Sequence, residues 1–142
     1  MDTVILPSLT YSAETWVLTK HQSRKLAAAQ RSMERSTLNI ALRDKIRNET
    51  IRAKTKVKDV TKESREKKSS WAGHVARMKN DRWAKKTTEW TPREGKRARG
   101  KPKRRWRDEV EETFDVNWMQ VAQDREEWKR VWRQSASSGV NS

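Results

Sequence analysis

Apolar positions recur at helical spacing along most of the chain, and each recurrence breaks at a polar or Gly/Pro-rich stretch. Thr19-x-x-Gln22 fits a capping box, two side chains that satisfy each other's backbone N–H groups. Beyond it Leu26, Met33 and Ile40 return every seven residues with Ala29 between them. That spacing predicts a helix over roughly 19–40 with one apolar stripe. Lys20, Arg24, Lys25, Arg31 and Arg35 cover its other faces. A charged connector, Leu42 to Asn48, leads to a short helix that Asn48 can cap, with Glu49 favourable near its start. The apolar face of that helix is Ile51 and little else. Val57 and Val60 open a third helix. From Thr61 to Ser70 no large apolar side chain occurs. This stretch fits either an exposed helical arm held by ion pairs such as Glu63 with Lys67, or disorder. Trp71, Val75 and Met78 then resume helical spacing up to Asn80-Asp81. Gly73 lies inside that pattern, where glycine costs about 1 kcal/mol. It either admits another backbone closely or is merely tolerated. His74, beside Trp71, reads as a packed or hydrogen-bonded residue rather than a ligand or a general base.

The second half is less regular. Arg82 to Trp90 fits a short strand or helix framed by Trp83 and Trp90. Pro92, Gly95, Gly100 and Pro102 punctuate Thr91 to Lys103, which predicts a loop. Pro102 suits the first turn of a helix running to about Asp115, with Trp106, Val110 and Phe114 as its stripe. A last helix starts near Asn117, with Trp118, Val121, Ala122, Trp128 and Trp132 on one face. Ser135 to Ser142 is a Ser/Gly tail expected to fray. At the other end, Thr3 to Leu6 is a β-favouring run broken by Pro7, and Leu9 to Leu18 fits a strand or the lead-in to a helix. The expected fold class is therefore mostly α. It is a small irregular helical assembly with a long basic loop, one short N-terminal strand, and partial disorder. The expected segments are 1–18, 19–80, 81–105, 106–134 and the tail 135–142.

Composition makes the core thin. Leu, Ile, Val and Phe together are 21 of 142 residues, or 15%, a share that with high charge points towards disorder. Eight tryptophans argue the other way, because each ring can bury roughly 200 Å2. Cysteine is absent, so disulfides and thiolate metal sites are excluded. With His21 and His74 the only histidines, a zinc finger is excluded too. No cofactor or metal is expected. No run of about 18 apolar residues occurs, and residues 1–9 lack a basic signal-peptide start. An intracellular protein with no membrane partner is expected.

Charge narrows the partner. The formal net charge is +15, which favours a polyanion. Four of the eight tryptophans, Trp71, Trp83, Trp90 and Trp106, lie in the same stretch as the densest positive charge. Rings interleaved with Lys and Arg suit packing or stacking beside a phosphate backbone. The expected contacts are Arg93, Lys96, Arg97, Arg99, Lys101, Lys103, Arg104, Arg105 and Arg107. The 102–115 helix would carry bases at its start and acids at its end, against its dipole, and a phosphate near its N-terminus would offset that. Residues 96–105 would serve equally well as a nuclear localisation signal. Gly-rich phosphate cradles, nucleophile elbows and paired polymerase carboxylates are all missing from the sequence. No catalytic residue is assigned, and the chain alone is expected to catalyse nothing.

Several segments, in order, resemble the C-terminal part of the endonuclease–reverse transcriptases of non-LTR retrotransposons, LINE elements of the RTE type. They are Leu6-Pro7 with Tyr11-x-x-Glu14-Thr15-Trp16 and Leu18-Thr19, Gln30-Arg31-x-Met33-Glu34-Arg35, and Leu42 through Glu49. Then come Trp71-Ala72-Gly73-His74-Val75-Ala76-Arg77, Arg82-Trp83, Glu89-Trp90, Gly100-Lys101-Pro102 with Arg105-Trp106, and Trp118 through Arg125 with Trp128. The resemblance implies a remnant of the palm/thumb junction over 1–18, thumb-like helices over 19–80, and a basic helical segment after them. It implies RNA or DNA as partner, together with a palm that carries the catalytic aspartates upstream, and a nuclear or ribonucleoprotein location. Ser12 stands where the family usually has glycine, and Glu63 to Ser70 replaces a more apolar stretch, as in a degenerate copy. Two other readings compete. Trp71 and Trp90 lie 19 apart, as in a Myb-like DNA-binding module, although the next interval, to Trp106, is 16. A nuclear structural or interaction protein would use its charge only for solvation and targeting.

Overall fold

Residues 5–90, 104–115 and 117–138 are described by a computed structural model, and every regular element among them is helical. The α-helices are α1 (Ile5–Leu9), α2 (Lys20–Thr37), α3 (Asn48–Thr55), α4 (Val60–Ala76), α5 (Trp83–Glu89), α6 (Trp106–Phe114), α7 (Trp118–Val121) and α8 (Arg125–Ser138). Short 3-10 turns lie at Ala13–Thr15 and Leu42–Asp44. The mostly-α expectation holds. The N-terminal strand does not: Ile5 and Leu6 are helical, and Thr3 and Val4 lie outside the described residues. Pro7 falls in the first turn of α1, where its missing N–H removes no helical hydrogen bond. By contacts the chain divides into two compact units, Met1–Ala13 with Leu18–Arg65, and Glu14–Val17 with Glu66–Ser142.

In the first unit α2 packs on α3. The Thr19 capping box forms as expected: the Gln22 N–H donates to Thr19 Oγ1 at 3.2 Å, and the Thr19 N–H to Gln22 Oε1 at 2.9 Å. The inward face of α2 differs from the expected stripe. Leu26, Met33 and Ile40 are half-buried and Ala29 is exposed, while Gln30 and Glu34 are buried. The cause is the backbone just before α4, which must be paired where it is buried. Gln30 offers both a donor and an acceptor. Its Nε2 donates to the Lys58 carbonyl at 2.6 Å, and its Oε1 accepts from the Val60 N–H at 2.9 Å. Glu34 lies 3.7 Å from Arg52, which also holds Asp59 at 2.6 Å. Ile51 is buried as expected, with Val57 and Val60 also buried. Asn48 does not cap α3. It is the helix's first residue, and its Oδ1 accepts from Arg35 Nη2 at 2.8 Å.

Helix α4 covers Thr61 to Ser70 and is not an exposed arm, since Ser64, Lys68 and Ser69 are buried along it. Their polar groups are satisfied locally or by ion pairing. Ser64 Oγ donates back to the Val60 carbonyl at 2.8 Å, and Lys68 Nζ sits 2.6 Å from Glu109. Burial pushes the Lys68 ammonium below its usual value, and Glu109 opposes that shift. Glu63 pairs at 3.9 Å with Lys58. The helix ends at Ala76, earlier than Asn80-Asp81. The expected final helix is two, because Asp124 caps a new start: its Oδ1 accepts from the Glu126 and Glu127 N–H groups at 2.8 and 3.1 Å. Helix α8 continues through Ser138, so the front of the expected tail is helical, while residues 139–142 lie outside the described residues.

Candidate nucleic-acid interface

The second unit is built on aromatic rings. Trp118 and Trp128 are buried with Ala72, Ala76, Val110 and Ala122, and Trp106, Phe114, Met119, Val121 and Trp132 pack against them. Ring centroids of Trp118 and Trp128 lie 6.2 Å apart, Trp106 and Trp118 meet edge-on at 6.2 Å, and Phe114 and Trp128 lie at 4.7 Å. Such offset and edge contacts add to the burial of the rings themselves. Gly73 lets this happen. A Cβ there would lie 2.5 Å from Trp128 Nε1. The partner that glycine admits is thus an indole ring rather than a backbone. Trp128 Nε1 donates to the Ser69 carbonyl at 2.8 Å, and Trp106 Nε1 to the Glu14 carbonyl at 2.7 Å. The expected stripe of α6, Trp106, Val110 and Phe114, joins this cluster.

The four tryptophans singled out by sequence therefore separate. Trp106 packs. Trp71 is half-buried, its ring 5.4 Å from that of His74, which is itself exposed. Trp83 and Trp90 face solvent, 80% and 64% exposed. They frame α5, which resolves the strand-or-helix alternative for Arg82 to Trp90. Ala84, Lys85 and Thr88 are the half-buried residues of that helix. Lys85 Nζ reaches the Ala76 and Met78 carbonyls at 3.4 and 3.2 Å, so it closes the end of α4. Lys86 stays exposed, 5.5 Å over the Trp83 ring.

Of the nine expected basic contacts, Arg93, Lys96, Arg97, Arg99, Lys101 and Lys103 lie outside the described residues, as does Pro102. The other three are each paired with a carboxylate. Arg104 meets Glu112, Arg105 meets Asp108 at 3.0 Å, and Arg107 meets Glu111 at 2.6 Å. Helix α6 starts at Trp106, so its first turn carries Asp108 and Glu109. These two acids offset part of the expected clash of Arg104, Arg105 and Arg107 with the dipole at that end, while Glu111 and Glu112 stay near the other end. The Asp108 carboxylate accepts the Arg105 backbone N–H at 2.9 Å. That bond, and then the Arg105 side chain, hold it below the usual aspartate range. The need for a phosphate at this helix start is correspondingly smaller.

Sequence reading left Arg82 and Lys86 out of the basic set. The signal was Trp83-x-x-Lys86-Thr87-x-x-Trp90, at i, i+3, i+4 and i+7, which sets Trp83 and Lys86 on one face of α5, with Trp90 directly after its last residue. Among the described residues no group of three His, Asp or Glu side chains gathers as a metal site, and no helix is long and apolar enough to cross a membrane.

The chain is 34% identical over 150 residues to a Caenorhabditis elegans protein named as uncharacterized and transposon-derived, a match that takes in 96% of this chain and 54% of the relative. The chain thus spans about half the length of the curated relative it matches, and the likeness fits a transposon origin. No protein-family model and no solved structure matches it.

Proposed function

We propose that this chain is a non-catalytic, nucleic-acid-binding segment from the C-terminal part of a transposon reverse transcriptase of the RTE LINE type. It grips RNA or DNA by the phosphate backbone. The observation that carries the reading is the run from Arg93 to Arg107, nine basic residues against one acid in a chain of net charge +15. The ordered resemblance and the transposon-derived name of the relative support it. The main contact falls on Arg93 to Lys103. Arg104, Arg105 and Arg107 contribute second, because each shares its charge with a carboxylate of α6. Pairs at the surface are worth less than about 1 kcal/mol, so a phosphate competes most readily for Arg105, which is exposed, and less so for the half-buried Arg104 and Arg107. The partners are RNA or DNA and the palm of the parent polymerase, whose carboxylates would carry out DNA synthesis. The location this implies is the nucleus or a ribonucleoprotein. The Myb-like alternative is disfavoured because Trp90 is 64% exposed rather than in a common core with Trp71.

Replacing Arg93, Lys96, Arg97 and Arg99 together by Ala tests the reading. Counterion release predicts a loss of at least about 100-fold in affinity near 0.1 M salt, for RNA and DNA oligonucleotides of any sequence. Retained affinity would refute the basic run as the contact.

A further inference from the structure

We propose that Trp83 and Trp90 form a two-ring platform on which bases of single-stranded nucleic acid stack. The inference rests on the nucleic-acid reading above and gives it a substrate class.

Helix α5 is inside out. An amphipathic helix turns its large apolar side chains inward. Here Ala84, Lys85 and Thr88 are half-buried, and the two indoles stand 80% and 64% exposed. The chain does bury tryptophan elsewhere, with Trp118 at 0% and Trp128 at 3%. Exposed Trp83 and Trp90 are thus a feature of this face. Trp83 opens α5 and Trp90 is the residue directly after its last, Glu89; seven positions at the helical rise place the two about 10 Å apart along the axis, near one side of the helix.

Charge on this side selects a polyanion. Arg82 and Lys86 are exposed, with Lys86 5.5 Å over the Trp83 ring. Glu89 is the one acid from Arg82 to Trp90, and the basic run begins three residues after Trp90. A flat ring beside a cation suits a base and its phosphate together. The bases must be unpaired, since duplex bases cover one another's faces, whereas those of a single strand can splay onto aromatic side chains.

The test compares the full chain with Trp83→Ala, Trp90→Ala and the double variant, on a single-stranded oligonucleotide and on a duplex of the same length. Stacking predicts a fall of about 5- to 150-fold per ring for the single strand, with duplex affinity and melting unchanged. It also predicts quenching of tryptophan fluorescence on single-strand binding, and partial recovery in Trp83→Phe. Equal loss on both ligands, no loss on either, or unquenched fluorescence would overturn the platform. Those results leave the effect of the Arg93 to Arg99 replacements intact, so the broader reading would survive them. Wild-type chain that binds neither ligand would overturn both.

Discussion

Gly73 is the position where one atom decides most. Its absent Cβ leaves room for Trp128, which is held 3% exposed with its Nε1 on the Ser69 carbonyl. An Ala Cβ would come within 2.5 and 2.6 Å of two atoms of that ring, and the ring is not free to swing away. Alanine gains about 1 kcal/mol of helix propensity, but overpacking a filled core costs about 1–3 kcal/mol. Gly73→Ala should therefore lower stability by up to about 2 kcal/mol net in a denaturant titration; an unchanged or raised midpoint would show that the ring yields. Spacing alone left open whether another backbone comes close to Gly73 or the glycine is merely tolerated. It could not name Trp128, 55 positions along the chain. Ser12 is a parallel case. Its φ is 55°, a left-handed conformation costing an L-residue about 1–2 kcal/mol, at the position where the resembled family has glycine.

At the scale of elements, helix starts rest on aspartates. Asp59 Oδ1 accepts from the Thr61 and Lys62 N–H groups at the start of α4 at 2.8 and 3.1 Å. Asp124 acts similarly before α8, whereas Asp108 works from within the first turn of α6 and accepts the N–H of Arg105 just ahead of the helix. Burial tends to raise the Asp59 pKa, but hydrogen bonds from Thr61 and Lys62 and the nearby Arg52 outweigh it and hold the carboxyl below the usual aspartate range. Asp124 is lowered by the Glu127 and then the Glu126 backbone N–H. A carboxylate depressed in the folded state stabilises it above the ordinary value of 3.8, and that contribution is lost as pH falls through the lower folded value. Asp59→Ala should cost about 1 kcal/mol near neutrality. Its deficit against wild type should shrink as melting is followed from pH 5 towards about pH 2. A deficit constant with pH would contradict the ionic cap. Local spacing revealed the Thr19 cap and the α6 stripe. It missed Gln30 and Glu34, because their burial is dictated by a backbone segment some 28 residues away, and periodicity of apolar residues is blind to polar side chains turned inward.

For the whole molecule, the spacing of apolar positions foretold a helical chain, and composition a thin core and an excess of 15 positive charges. Which charges are free was not legible, since a sequence counts cations and not their partners. Arg104, Arg105 and Arg107 all proved to be committed to carboxylates of α6. Which tryptophans are free was hidden too, because packing rings and exposed rings share the same residue type and spacing. The proposed phosphate contact therefore rests chiefly on the sequence from Arg93 to Lys103, six basic residues against Glu94.

The most direct check is equilibrium binding of the purified chain to duplex and single-stranded oligonucleotides across a series of salt concentrations. Six phosphate contacts predict a log–log slope near −5 on duplex and near −4 on a single strand. A slope near zero, or no binding in dilute buffer, would contradict the claim that this chain holds nucleic acid by its backbone.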